Sequence, residues 1–219
     1  TGVGNKEDEK FRSIYGIENE GSPTRLEDAI RAAGHQPQDV DIVLNTHLHF
    51  DHAGGDTLKD EEGRIVPAFP RARHLVQGAE WRFAHQRNER VRASYLPDNF
   101  EPVHAAGLFD FVEGEAEVVP GMRVLPAPGH TPGQHVVLLE SDDERACFLA
   151  DLVPTAAHVP LPWIMGYDVE PLVSLESKRT VLARAQREAW LLIFQHDAAV
   201  PWGRLAGDEP RPTLLPPDD

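Results

Sequence analysis

Residues 46–55 read Thr46-His47-Leu48-His49-Phe50-Asp51-His52-Ala53-Gly54-Gly55, which puts four candidate metal-ligating side chains within six positions. The preceding run, Ile42-Val43-Leu44, is short and wholly apolar and reads as a buried strand. The two glycines that follow let the backbone turn sharply and approach its neighbours closely. His47 and His49 alternate, so they can aim at one point. Asp51 and His52 lie further round the turn and can aim at a second. Neutral imidazole and carboxylate suit zinc and similar ions. A lone His at a strand end is ordinarily a hydrogen-bonded polar residue, but four ligand-type residues this close together call for a shared purpose.

The flanking pattern is α/β. Thr24 and Glu27 fit a capping box with Pro23 at an early helical position, and Leu26, Ala29, Ile30 and Ala33 form an apolar face that Gly34 ends. Pro37-Gln38-Asp39 then turns the chain into a strand at 41–46, which delivers the histidines. Helix, short loop, buried strand and functional loop at the strand's C-terminal end is α/β grammar. Upstream, residues 1–21 read as solvated loop or short helix. Downstream, the pattern predicts a short helix from Gly55 to about Lys59, a turn at 60–63, a strand at 73–76 and a helix from about Gly78 to Ser94. His74, His85 and His104 have no ligand-like neighbours in sequence and are expected to be non-ligands.

The second half is β-rich. Strands are expected at 117–119 and 122–125, broken at Pro120-Gly121, and a hairpin at 136–139 and 146–149 around Asp142-Asp143. Between them, Pro128-Gly129-His130-Thr131-Pro132-Gly133 is a tight loop locked by proline and glycine. Such rigidity is costly unless a side chain must be held still, so His130 is a ligand candidate. Asp151 ends a buried strand, at the edge where α/β sites collect, and is a second candidate. A long loop at 152–170 carries His158, Trp163 and Tyr167. Both aromatics fit either a substrate pocket or core packing. An amphipathic helix is expected over 171–189, with Leu172, Leu175, Val181, Leu182 and Ala185 recurring at helical spacing. The strand Trp190–Phe194 then ends in Gln195-His196-Asp197, again a His just past a strand. The acid- and proline-rich residues 207–219 are expected to fray.

Composition narrows the function. A net charge of −15 argues against a nucleic-acid surface, which needs clustered Lys and Arg. No apolar run approaches the ~20 residues that span a bilayer, so no membrane partner is expected. The single cysteine, Cys147, excludes an internal disulfide framework and leans the setting towards the cytoplasm. Its apolar neighbours make it a buried, inert thiol rather than a nucleophile.

Taken together, the H-L-H-F-D-H-A-G-G run at 47–55, the G-H-T-P-G run at 129–133, Asp151 and His196 resemble the metallo-β-lactamase superfamily, in order and spacing, from about residue 22 to 203. The resemblance implies an αβ/βα four-layer sandwich. It implies a binuclear site in which His47, His49 and His130 hold one ion, Asp51, His52 and His196 hold the other, and Asp151 bridges. Two divalent ions are implied, zinc first, with manganese, iron or cobalt as alternates. A metal-bridging hydroxide would attack the substrate, and Asp51 would hydrogen-bond it and relay its proton. The absence of a Ser or Cys nucleophile motif agrees with this.

Branch features within the family narrow it further. Asp151 stands where the commonest class B β-lactamases have Cys, and His49 stands where flavodiiron-like branches have Glu. No long C-terminal helical domain of the glyoxalase II kind follows. The Gly2-Val3-Gly4-Asn5-Lys6 motif and the loop after Asp151 look most like the lactonase and organophosphate-hydrolase-like branch. Quorum-quenching lactonases carry a Tyr three residues after the bridging Asp; here Pro154 stands there, with Tyr167 as the nearest substitute. Family members also carry several strands before the equivalent of Thr1, so the expected domain, residues 1–206, is N-terminally incomplete. The function implied is hydrolysis of a small ester, lactones first, with phosphotriesters as a side activity. The alternatives are a phosphodiesterase or nuclease of the same family, or a non-catalytic metal-binding domain. Expected partners are a small-molecule ester or lactone and a second copy of the chain.

Overall fold

The computed structural model describes residues 1–18, 25–86, 88–207 and 213–215. The chain divides into two compact units, Thr1–Val76 with Trp81–Phe111, and Gln77–Glu80 with Val112–Asp219.

The first unit starts with helix α1 (Glu9–Tyr15), whose first turn is capped by Asp8 through the N–H of Phe11, and which ends at Gly16 with φ +63°. Helix α2 (Arg25–Ala32) follows, and the chain leaves it at Gly34 with φ +85°. The capping pair Thr24 and Glu27 and the early Pro23 fall partly outside the described residues. The apolar face of α2 is narrower than its pattern suggests. Leu26 and Ile30 pack on a core of Val43, Ala68, Phe69 and Ala72, while Ala29 and Ala33 are exposed. Strand β1 (Ile42–Leu44) is shorter than the expected 41–46, and it leads into the one-turn helix α3 (Phe50–Ala53).

The expected helix from Gly55 to Lys59 is instead a turn followed by strand β2 (Thr57–Lys59), paired antiparallel with β3 (Ile65–Pro67). Two distant partners decide this. The Asn5 side chain accepts from the Lys59 N–H (2.8 Å) and donates to its carbonyl (3.2 Å), as a neighbouring strand would. Between the strands, Asp60 accepts from the Arg64 N–H (2.7 Å) and Gly63 takes φ +80°, which makes the predicted turn.

Strand β4 (Arg73–Gln77) pairs parallel with β1. Helix α4 (Gly78–Ala84) then stops ten residues short of the expected Ser94. Beyond the stop, Asn88 holds the chain in a separate turn. Its Oδ1 accepts the N–H groups of Arg90 and Val91, an alternative to the helical ladder that Asn side chains favour. Helix α5 (Glu101–Ala105) and strand β5 (Phe109–Val112) complete the unit, with the sheet in the order β1-β4-β5.

The second unit is built on strands β6 (Ala116–Val119), β7 (Met122–Pro126), β8 (His135–Ser141) and β9 (Glu144–Phe148), an antiparallel meander. Gly121 turns the first hairpin at φ +80°. A Cβ there would sit 2.5 Å from the Glu140 carbonyl, so only glycine fits. Helix α6 (Pro171–Arg187) crosses back to strand β10 (Leu191–Ile193), which pairs parallel with β9. Strand β11 (Trp202–Ala206) pairs antiparallel with β10. Strand β12 (Thr213–Leu215) pairs with β11, so this part of the tail is ordered as a strand rather than frayed. The seven-stranded order is β12-β11-β10-β9-β8-β7-β6.

Its core follows the period-two pattern of the strands. Val136 and Leu138, Cys147 and Leu149, and Leu192 and Phe194 meet Val181, Leu182 and Ala185 from α6. The N-terminal half of α6 departs from its apolar pattern. Leu172 is 80% exposed, whereas Ser174 and Lys178 are buried. Lys178 explains the reversal: its ammonium donates to the carbonyls of Pro160 (2.7 Å) and Trp163 (2.8 Å), with Leu161 at 3.4 Å. Burial lowers its pKa to about 8.

Candidate metal centre

In the first unit, the donors gather where β1 gives way to α3. His49 is the residue before the helix, and its carbonyl accepts from the N–H groups of His52 and Ala53. The Phe50 N–H is held by the Ser94 carbonyl at 2.8 Å. Gly54 and Gly55 then pass so close to residues 1–3 that a Cβ on either would collide with the carbonyl of Val3 or Thr1. Lys6 donates to the carbonyls of Gly54 and, at 3.0 Å, Thr57. The turn is thus fixed from outside as well as by its own hydrogen bonds.

The imidazoles lie close together. The His47 ring centroid is 3.9 Å from that of His52 and 4.6 Å from that of His49. Asp51 Oδ2 is 3.3 Å from His52 Nε2. Donor atoms of His47 and His49, of His47 and His52, and of Asp51 and His52 lie within 4.8 Å of each other. Thr46 Oγ1 lies 3.3 Å from His47 Nδ1, and the Tyr95 ring packs edge-on against His49 at 4.7 Å. The chain therefore brings together, within this unit, the four candidates that the sequence places in one loop.

In the second unit, Asp151 faces two histidines at once. Its Oδ2 is 3.3 Å from His130 Nε2, and its Oδ1 is 3.1 Å from His196 Nε2. Asp151 sits in the short helical turn that follows β9, next to Ala150 with φ +47°. The His196 N–H donates to the Pro154 carbonyl (3.0 Å), and Asp197 accepts from the N–H groups of Ala156, Ala199 and Val200. Those three donors lower the Asp197 pKa. The Ala156 bond and the His196–Pro154 bond tie the His196 loop to the loop after Asp151.

The His130 loop is clamped on all sides. Gly129 has φ +134°, and a Cβ there would strike the Ser174 backbone of α6. A Cβ on Gly133 would strike the Glu80 backbone, and Thr131 donates to Glu80 at 2.6 Å. The N–H groups of Val169 and Glu170 donate to the carbonyls of His130 and Gly129.

Four further histidines have other partners. His85 bonds Glu101 (2.9 Å) and the Trp81 carbonyl (2.7 Å), His104 packs on Trp81, and His74 lies 3.5 Å from Asp56 in a buried pair. His158 bonds Thr155 at 2.7 Å, and burial lowers its pKa. Trp163 and Tyr167 are 65% and 67% exposed, which removes the core-packing alternative for both.

Three features escape the sequence. Asp168 lies behind His130, with Oδ1 3.0 Å from Nδ1, and nothing local marks it. Glu80 behind Thr131 is likewise unmarked. Phe11 and Tyr15 of α1 pack on Phe50 at 5.0 and 4.8 Å. Their four-residue spacing is a helical-pair signal hidden in a charged run.

The residue types suit a divalent ion: imidazole nitrogens and a carboxylate whose two oxygens face different partners form an N/O donor set. Comparison with known proteins agrees with that chemistry. The profile of the metallo-beta-lactamase superfamily matches residues 1–196. An N-acyl homoserine lactonase from a Bacillus species is 29% identical over 177 residues, 79% of this chain and 62% of that protein, so the chain spans about three-fifths of that relative's length. A probable metal-dependent hydrolase from Staphylococcus aureus superposes with a TM-score of 0.85 at 28% identity, covering 98% of this chain and 76% of that one. The dizinc quorum-quenching lactonase AidC shares the fold, with a TM-score of 0.78 at 21% identity, over 100% of this chain and 74% of its own. No helix among the described residues is long and apolar enough to cross a membrane. With the profile matched along nearly nine-tenths of its sequence, the chain belongs to the metallo-beta-lactamase superfamily.

Proposed function

We propose that the chain is a binuclear metal-dependent hydrolase of small esters, lactones first, with phosphotriesters as a side substrate. In this reading His47, His49 and His130 hold one ion, Asp51, His52 and His196 hold the other, and Asp151 serves both. The observation that carries it is Asp151, whose two carboxylate oxygens face His130 and His196 separately, the posture of a bridging ligand. Two bound divalent ions, zinc first, supply Lewis acidity and an ionised water near neutral pH.

The chain's own residues do the rest. Asp51, beside His52 and one-third exposed, is placed to accept a proton and pass it to solvent. Phe50, the residue before Asp51, is packed by Phe11 and Tyr15 of α1, and the exposed Tyr15 ring is the apolar surface near that turn in reach of a substrate's hydrocarbon part. The lactonase relatives support the substrate class.

A parallel turnover assay with zinc- or manganese-loaded protein tests this, using an acyl-homoserine lactone, an aryl ester, a phosphotriester and a phosphodiester. Lactone or ester turnover at kcat/KM of ~10⁴ M⁻¹s⁻¹ or above is the expected result. Turnover of the phosphodiester alone sinks the lactonase reading. Asp151→Ala should lose ~100-fold or more of that activity together with its metal; a variant with two metals and full activity refutes the bridging role.

A further inference from the structure

Asp168 and Lys178 take no part in the donor set, yet both are buried. Asp168 Oδ1 stands 3.0 Å from His130 Nδ1, and His130 Nε2 is the nitrogen turned to Asp151. The carboxylate and the candidate ligand position therefore occupy opposite sides of one imidazole. An anionic acceptor at Nδ1 keeps the proton there, leaves the Nε2 lone pair for a metal, and stops the ring from turning.

The segment that delivers Asp168 is itself anchored. Lys178 reaches from α6 to the carbonyls of Pro160, Leu161 and Trp163, using the three donors of one ammonium. The next residues after Asp168 return to the His130 loop through the N–H groups of Val169 and Glu170. A single carboxylate thus has its backbone held on both sides.

We propose that Asp168 is a positioning residue that sets the tautomer and orientation of His130 for metal binding, while Lys178 holds the loop that carries it. The proposal rests on His130 being a metal ligand. It predicts different behaviour from the two residues. Removing the charge of Asp168 should act on the metal, whereas removing that of Lys178 should act mainly on stability.

The test is zinc affinity by competition with a chromophoric chelator, together with the visible spectrum of the cobalt(II)-loaded protein. It is run on the wild type, Asp168→Asn, Asp168→Glu and Lys178→Met, with thermal melts of each metal-free form. Asp168→Asn keeps the shape of the side chain and should weaken zinc binding by ~10–100-fold, with an altered cobalt spectrum and an unchanged metal-free melt. Asp168→Glu should recover part of the affinity. Lys178→Met should melt lower with a smaller loss of zinc affinity. Equal zinc affinity in wild type and Asp168→Asn overturns the proposal while leaving the metal site intact. Equal losses in Asp168→Asn and Lys178→Met also overturn it, since loop placement rather than the carboxylate would then matter. A wild-type chain that binds no zinc overturns the metal site itself.

Discussion

His135 is buried in β8 with neither ring nitrogen hydrogen-bonded among the described residues, and burial lowers its pKa from 6.5 to about 4. The unfolded chain takes up this proton below about pH 6.5, whereas the folded chain resists until about pH 4. The resulting stability is complete above pH 6.5 and is lost as the pH falls towards 4, by roughly 3 kcal/mol. Urea midpoints at pH 7 and 5 check this: the wild type should weaken on acidification, and His135→Leu should lose most of that dependence. Cys147, fully buried in β9, has its thiol pushed up to about 12. It should react with an aromatic disulfide reagent only after unfolding, and prompt reaction in the native state would contradict the burial. The inert thiol was legible from the apolar run around it. Asp168 was not, because its partner His130 lies 38 residues away and no motif joins them.

Among the elements, those whose pattern is local were legible and those decided by distant partners were not. The β6–β9 meander and the α6–β10 crossover follow directly from apolar runs and turn residues. The segment 57–59 reads as helix until Asn5 and Ile65–Pro67 supply its hydrogen bonds. The helix expected over 78–94 ends at Ala84, and at 88–91 Asn88 takes the backbone N–H groups that a continued helix would use. In α6, the buried face changes character at Lys178 because three carbonyls 15–18 residues earlier need its donors. The candidate donors stand out because they are ligand-type residues just past apolar runs or, for His130, in a loop locked by proline and glycine; the residues alone do not show that the two oxygens of Asp151 face different histidines. The loop carrying His130 depends on two glycines. Gly129→Ala should cost about 3 kcal/mol, since it combines a left-handed φ of +134° with a collision against the Ser174 backbone. Chemical denaturation checks the magnitude, and an unchanged midpoint would mean the loop can relax.

For the whole molecule, metal and stability should be linked. If the proposed ligands hold ions, each set depends on a folded unit that gathers side chains distant in sequence, so ions that bind there favour folding by mass action. Chelation should lower the melting temperature, by an amount equivalent to ~4 kcal/mol if free zinc stands a thousand times above its dissociation constant. Readdition of zinc should restore it, and a melt indifferent to chelator would argue against a native-state metal.

The short pairing of Thr213–Leu215 with Trp202–Ala206 has a practical side. A chain cut after Ala206 would lack β12 and leave the outer rim of β11 as a row of open N–H and C=O groups, flanked by the exposed indole of Trp202. Such a rim is a template for any extended strand that meets it. The shortened protein, whose rim is then the five-residue β11 instead of the three-residue β12, should therefore scatter light more steeply with concentration than the full chain.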